Sequence, residues 1–304
     1  MVWKDIDSKD NELDTLKQLF KNTSSEKQRS LIKQDLVSLE NGYESEKENA
    51  YYLNFHFEDK KRTILLHDIR LEHNGRTAQF DHILIAPIGI TLLESKSFKG
   101  KLTIGDDNSL NVNYGKYIKT FPNPIEQNNR HEKVLKGFIG DKIKLSTRFK
   151  LMGGIPIDNV VIIHPNTTLT NKKLPNGFER SDAFATQWNK NIDNMSATTV
   201  LLKSITLMSL DMVKDIAKSL VALHKPIIFD YAKKYRISKQ NAKTFVEEKA
   251  ENTKQTLDNK FCPRCKEGEL VKRKRKSKKF GQQYASDEFY GCNRFPKCKY
   301  TEEI

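Results

Sequence analysis

Two short apolar runs separated by a turn signal give the sharpest local prediction in this chain. Phe80-Asp81-His82-Ile83-Leu84-Ile85-Ala86 and Ile90-Thr91-Leu92-Leu93-Glu94-Ser95-Lys96 flank Pro87-Ile88-Gly89, which reads as a β-hairpin. Pairing about Ala86 and Gly89 sets Ile85 against Ile90 and Ile83 against Leu92. The same register sets Asp81 against Glu94, with Lys96 on their face and His82 on the opposite one, because side chains alternate with period two. Further on, Gly154-Ile155-Pro156-Ile157-Asp158 leads into Asn159-Val160-Val161-Ile162-Ile163-His164, a continuous apolar run that suits a buried central strand. Helical spacing appears elsewhere: Leu13, Leu16 and Phe20, then Leu31, Leu36 and Leu39, predict one or two amphipathic helices. Tyr43, Glu46, Ala50 and Leu53 share one stripe. Arg130 to Ile139, a segment opening at Met195-Ser196-Ala197, and Leu210 to Leu223 ending near His224-Lys225-Pro226 are also predicted helical. From Tyr231 to Lys260 apolar residues thin out and charges mix, as in a solvated helix or hinge.

The apolar register has a chemical consequence. Directly opposed side chains on one sheet face lie roughly 5 Å apart at Cβ, so two acids there repel unless a cation sits between them. One reading is a divalent metal bound by hard oxygen ligands, Mg2+ or Mn2+. The other is a strand end whose Asp81 and Glu94 reach solvent with Lys96 neutralising one of them. Glu46 falls on the packing stripe of its helix, whereas Glu44 and Glu48 point elsewhere. A carboxylate on a packing face needs a partner, which makes Glu46 the candidate third acid at that site, unless it sits at the edge of the stripe.

Charge narrows the partners. The 304 residues carry 53 Lys plus Arg against 39 Asp plus Glu, a formal net charge of +14, and such a field draws polyanions. No run has the apolar length of a membrane span, and Met1-Val2-Trp3-Lys4-Asp5 lacks the apolar core of a secretion signal, so the expectation is a cytoplasmic protein without a membrane partner. All 4 cysteines lie near one end, as Cys262-Pro-Arg-Cys265 and Cys292-Asn-Arg-Phe-Pro-Lys-Cys298. These two hooks suit one structural Zn2+ held by four thiolates; two disulfides are the alternative in an oxidising compartment. A segment this short builds no core of its own, so metal binding must supply most of its folding free energy. Between the hooks, Lys272, Arg273, Lys274, Arg275, Lys276, Lys278 and Lys279 precede Phe280 and Tyr284. Cations beside aromatics suit single-stranded nucleic acid; a solvated hairpin tip that meets a protein partner is the rival reading.

Asp81 with Glu94-Ser95-Lys96 resembles the D...ExK signature of restriction-endonuclease-like, PD-(D/E)xK nucleases. The surroundings resemble one branch, the nuclease-related domain or NERD: Gly42-Tyr43-Glu44-Ser45-Glu46 opening a helix, Gln79-Phe80-Asp81-His82-Ile83 on a strand, Glu94-Ser95-Lys96, and Asn123-Pro124-Ile125-Glu126-Gln127 before His131. Ser45 stands where that family usually has Gly. The resemblance implies an α/β fold with a mixed central sheet flanked by helices, and hydrolysis of phosphodiester bonds in DNA. It assigns Glu46, Asp81 and Glu94 to the metal, Lys96 to the attacking water and the phosphate charge, and Gln127 to orientation of water or backbone. The cysteine segment resembles the C-terminal zinc finger of bacterial type I topoisomerases, through Phe261-Cys262-Pro263-Arg264-Cys265, Gly268-Glu269-Leu270-Val271, Phe289-Tyr290-Gly291-Cys292 and Phe295-Pro296-Lys297-Cys298-Lys299-Tyr300. The expected organisation is an N-terminal helical segment over 1–39, a nuclease domain over 40–228, a charged helical linker over 229–260 and a zinc ribbon over 261–304. The expected protein is a Mg2+- or Mn2+-dependent deoxyribonuclease in DNA processing or defence against foreign DNA, with single-stranded DNA favoured as partner. The alternative is a noncatalytic nucleic-acid-binding adaptor acting beside a topoisomerase or helicase. A homodimer would be needed for a concerted double-strand cut.

Overall fold

The computed structural model describes residues 1–194, 207–227, 229–235, 262–265, 270–274, 288–294 and 297–303, with residues 196, 198, 204 and 268. They fall into two units, Met1–Tyr231 and Ala232–Ile304. The first is a mixed α/β structure around a six-stranded sheet in the order β1-β2-β3-β4-β8-β9. The strands are β1 (Val2–Lys4), β2 (Ile64–His73), β3 (Arg76–Ala86), β4 (Gly89–Lys96), β8 (Ile157–Ile163) and β9 (Phe178–Arg180).

The strands β2, β3 and β4 form an antiparallel meander. Its first turn is His73-Asn74-Gly75-Arg76, where Asn74 and Gly75 take φ of +48° and +69°. Two successive left-handed residues make the Asn-Gly turn whose twist matches that of the strands. The second turn has the predicted register, with Ile85 opposite Ile90 and Ile83 opposite Leu92. Strand β8 returns parallel to β4, pairing Leu93 with Val160 and Lys96 with Ile163; β1 is also parallel, on β2. The run at 159–163 thus lies inside the sheet, as its unbroken apolarity implies.

Helices cover both faces. Helix α1 (Asp10–Asn22) and helix α2 (Glu26–Phe57) precede the sheet, α3 (Pro124–Lys142) and a short α4 (Thr147–Leu151) lie between β4 and β8, and α5 (Ser181–Asp193) and α6 (Leu210–Ala222) follow it. One face packs Leu66, Ile83, Ile85 and Leu92 against Leu135 and Phe138 of α3 and Ile216 and Leu220 of α6. The opposite face packs Leu65, Leu84, Leu93 and Ile162 against Leu53 and Phe57 of α2 and Phe184 of α5. A second, three-stranded sheet, β5 (Lys101–Ile104), β6 (Leu110–Asn113) and β7 (Ile118–Phe121), is inserted between β4 and α3.

One expectation fails here. Gly42 does not open a helix: α2 begins at Glu26, where Ser25 accepts a hydrogen bond from the Gln28 N–H, and runs unbroken through Gly42. An interior glycine costs about 1 kcal/mol relative to alanine, and the packing of the rest of the helix absorbs it: Tyr43, Ala50, Leu53 and Phe57 are all buried. Near its start the buried residue is Ile32 and not the expected Leu31, which is 46% exposed. The helix predicted to open at Met195 falls largely outside the described residues.

In the second unit β10 (Leu270–Lys274), β11 (Glu288–Cys292) and β12 (Thr301–Glu303) form an antiparallel sheet in that order. Its buried cluster is made of Cys262, Cys292 and Cys298, with Cys265, Leu270 and Tyr300 against them.

Candidate active site and metal centre

The acids predicted to converge stand on adjacent strands, just past the point where the β3–β4 ladder ends. The β3–β4 ladder pairs His82 with Leu93; at the next position Asp81 faces the end of β4, where its Oδ2 accepts the Ser95 N–H at 2.8 Å. Asp81 and Glu94 carry the parity of Ile83 and Leu92 and so belong to the face covered by α3. Glu94 is 3% exposed and its Oε1 accepts from the Lys96 ammonium at 2.5 Å. Burial first, then the negative charge of Glu94, pushes the Asp81 carboxyl well above the ordinary carboxylate range; Lys96 and the Ser95 N–H pull the other way. Two acids this near each other, one buried and one half-buried, cannot both ionise cheaply without a cation.

Glu46 arrives from α2. Burial raises its carboxyl to about 7, Asp68 and Glu94 add to the rise, and Lys9 opposes it. Its neighbours face away, Glu44 to Lys47 at 2.9 Å and Glu48 to His164 at 2.6 Å. Gln127 sits in the first turns of α3, half-buried. His131, one turn on, has its imidazole pKa lowered by burial and feels Glu94 and Lys96; its Nδ1 is buried without a hydrogen bond. Glu46, Asp81 and Glu94 are not among the groups of three or more described side chains whose donor atoms all lie within 4.8 Å of one another. Lys96 donates to a Glu94 oxygen and the Ser95 amide to an Asp81 oxygen.

Asp68 was not foreseen. It lies opposite Asp81 where the β2–β3 ladder skips from His67–His82 to Ile69–Phe80, and it holds φ of +48°. Its buried carboxylate accepts from Lys9 at 3.1 Å and from Gln79 at 3.0 Å. On Lys9 burial acts to lower the pKa, but the pairing with Asp68 outweighs it and the net shift is upward. The signal available was an acid interrupting the apolar run Ile64-Leu65-Leu66-His67-Asp68-Ile69.

Behind the acids, on the other sheet face, runs a buried polar chain. His82 Nε2 lies 2.9 Å from Ser95 Oγ, His82 Nδ1 lies 2.6 Å from His67 Nδ1, and His67 Nε2 lies 2.8 Å from Asn54 Oδ1. Because Asn54 Oδ1 only accepts, the tautomers follow: His67 donates to Asn54, His82 to His67, and Ser95 to His82. Burial holds the His67 pKa down at about 4, and burial with the neighbouring ring pushes His82 well below the usual range. Ser95 is therefore tied on both sides, its hydroxyl to this chain and its amide to Asp81.

The four cysteines do form a metal-type group. Cys262, Cys265, Cys292 and Cys298 are free thiols whose sulfurs all lie within 4.8 Å of one another. The Cys262–Cys298 and Cys265–Cys292 sulfur distances are each 3.7 Å. Tetrahedral zinc with Zn–S of about 2.3 Å requires sulfur separations of about 3.8 Å, so the cluster fits zinc and is far too open for disulfides. The Cys262 N–H donates to Gly268 O at 2.7 Å, and a Cβ on Gly268 would stand 2.7 Å from Cys292 Sγ, so the knuckle requires glycine there. Of the predicted basic contacts, Lys272 pairs with Glu288 at 2.6 Å and Arg273 donates to Cys292 O at 3.3 Å. Lys274 ends β10. Arg275, Lys276, Lys278, Lys279, Phe280 and Tyr284 lie outside the described residues.

Comparison with known proteins places a family match over this same region. Residues 41–164 match the nuclease-related domain, NERD, a span that holds Glu46, Asp81, Glu94, Lys96 and Gln127 and covers less than half of the chain. An uncharacterized protein of Bacillus anthracis is 31% identical over 88 residues, covering 28% of this chain and 41% of that protein. The chain thus spans less than half the length of this relative. No solved structure matches. No helix among the described residues is long and apolar enough to cross a membrane.

Proposed function

We propose that the chain is a divalent-metal-dependent nuclease that hydrolyses phosphodiester bonds in DNA. The observation that carries this reading is the placing of half-buried Asp81 and buried Glu94 on adjacent strands with Lys96 beside them: two carboxylates answered by a single ammonium, an oxygen-donor set whose excess negative charge a divalent cation would neutralise. Asp81, Glu94 and Glu46 are the side chains that would hold Mg2+ or Mn2+, hard ions that favour carboxylates. When bound, such an ion supplies an acidified water and neutralises charge on the scissile phosphate. Lys96 stabilises the developing phosphate charge and assists the attacking water. Ser95, tied to His82, presents its N–H to Asp81 and so fixes that carboxylate's aim. Gln127 orients water or backbone from the start of α3. The cysteine unit holds Zn2+ structurally and contacts DNA, single strands before duplex.

The test incubates the full chain with single- and double-stranded DNA in Mg2+ or Mn2+ beside Asp81→Ala and Lys96→Ala. Both variants are expected to keep zinc and DNA binding and to lose cleavage, by roughly 1,000-fold or more. Cleavage that persists in both overturns the assignment. One observation favours a second reading: Lys96 already satisfies Glu94 at 2.5 Å, as it would in an adaptor that binds nucleic acid without cutting it. That reading predicts binding by the wild type with no metal-stimulated cleavage.

A further inference from the structure

The small sheet between β4 and α3 carries a cationic surface of its own. Its inner side is apolar, with Leu102, Ile104, Leu110 and Val112 buried. Its outer side follows from the register: Lys101 pairs with Asn113 and Asn113 with Ile118, while Thr103 pairs with Asn111 and Asn111 with Thr120. At the β6–β7 end, Tyr114-Gly115-Lys116-Tyr117 makes a tight turn closed by the Tyr114 N–H on Tyr117 O at 3.0 Å. The two tyrosine rings stack with centroids 5.2 Å apart and a 31° tilt, yet remain 37% and 61% exposed, with Ile118 beside them at 66%.

Three observations give this tip a ligand. Lys99, Lys101 and Lys116 are exposed there and, among the described residues, none has a carboxylate partner. Some surface lysines elsewhere pair, as Lys17 with Glu40, Lys136 with Glu132 and Lys225 with Glu72, so what marks this tip is not the lack of a partner alone but three such lysines beside two exposed rings. The sheet's own acids, Asp106 and Asp107, lie at its opposite turn, between β5 and β6. An acidic protein partner would use the lysines but not the rings, and an apolar peptide would use the rings but not three unpaired ammonium groups. A single-stranded polynucleotide uses both, phosphates on lysine and bases on exposed ring faces. Placement agrees: β5 starts directly after the loop leaving Lys96, and β7 leads into the helix bearing Gln127.

We propose that the Tyr114–Tyr117 tip with Lys99, Lys101 and Lys116 is a contact site for single-stranded nucleic acid. The inference deepens the nuclease reading, resting on it only for the choice of polyanion. The test measures fluorescence anisotropy of the full chain with labelled oligothymidine and a labelled duplex, with no divalent cation added. Replacing both tyrosines by alanine is expected to weaken single-strand binding about tenfold and duplex binding by about twofold or less, while the double Tyr→Phe variant keeps wild-type affinity. The triple variant Lys99→Ala, Lys101→Ala, Lys116→Ala is expected to lower the single-strand salt slope by roughly 2. Unchanged single-strand affinity in the alanine pair, an equal loss on duplex, or an equal loss in the phenylalanine pair overturns the proposal. The two readings fail separately: cleavage by an alanine pair of wild-type affinity removes the contact site and keeps the hydrolase. A tyrosine-dependent affinity in a chain that never cleaves does the reverse.

Discussion

The acid site and the cysteine cluster are both places where ionisable side chains crowd together, and they are built in opposite ways. Asp81, Glu94 and Lys96 are carried by central strands whose apolar neighbours, Ile83, Ile85 and Leu92, are buried against α3 and α6, so the sheet fixes their backbone whether or not a cation is present. The cysteines are themselves the core of their unit. A site borrowed from a large core can store electrostatic conflict, as the raised carboxyls of Asp81 and Glu46 do. A site that is its own core needs the metal to exist.

That contrast breaks most visibly when metal is withdrawn. Chelation, or Cys262→Ser, is expected to unfold the cysteine cluster and the sheet β10–β12 outright, since structural zinc contributes about 10–16 kcal/mol in isolated fingers. Hydrogen exchange should show lost protection in β10 and β11 and none lost in β2 to β4. Protection that survives in β10 and β11 would mean the cysteine unit has a core of its own.

A smaller effect sharpens the other side. His67 is neutral in the fold, its pKa held at about 4 by burial, with Asp5 and Asp68 opposing that drop and Lys4 adding to it. The unfolded chain gains a proton near pH 6.5 that the fold refuses, so this group's contribution to stability falls as pH drops below about 6.5 and levels off below about 4, by up to about 3 kcal/mol. Urea unfolding of wild type and His67→Gln across that window should differ in slope, the wild type losing stability relative to the variant as pH falls. The Glu46 carboxyl titrates with the opposite sign in an overlapping range and is common to both proteins, so it cancels in the difference. Parallel slopes would show that the buried histidine chain is already charged.

The smallest effect returns to the cysteines. Gly268→Ala places a methyl 2.7 Å from Cys292 Sγ and is expected to weaken zinc binding by on the order of 10- to 100-fold, the range for disturbing the shell around a metal. Competition with a chromophoric chelator measures it; wild-type affinity would show that the knuckle yields.

Legibility follows the same division. The cysteine cluster needed only spacing, because its ligands sit on short local hooks. The β3–β4 register needed only alternation across one turn, and it was readable from Ile83, Ile85, Ile90 and Leu92. What escaped depended on distance in the chain. Strand β1 is three residues long, Val2–Lys4, and exists only through parallel pairing with β2. The strands β5, β6 and β7 have four residues each, too few for a period to declare itself. Asp68 acquires its position by a skipped rung opposite Asp81, which a local pattern does not encode. Helix α2 was entered too late because Gly42 reads as a boundary, while its cap lies back at Ser25.

The most direct measurement is the stoichiometry of Mn2+ bound to zinc-loaded protein, read by electron paramagnetic resonance without any substrate. The account predicts one tightly held Mn2+ per wild-type chain, absent in Asp81→Asn, with zinc content equal in the two. Equal Mn2+ binding by both proteins, or none by either, would contradict the assignment of the paired carboxylates as the seat of the catalytic cation.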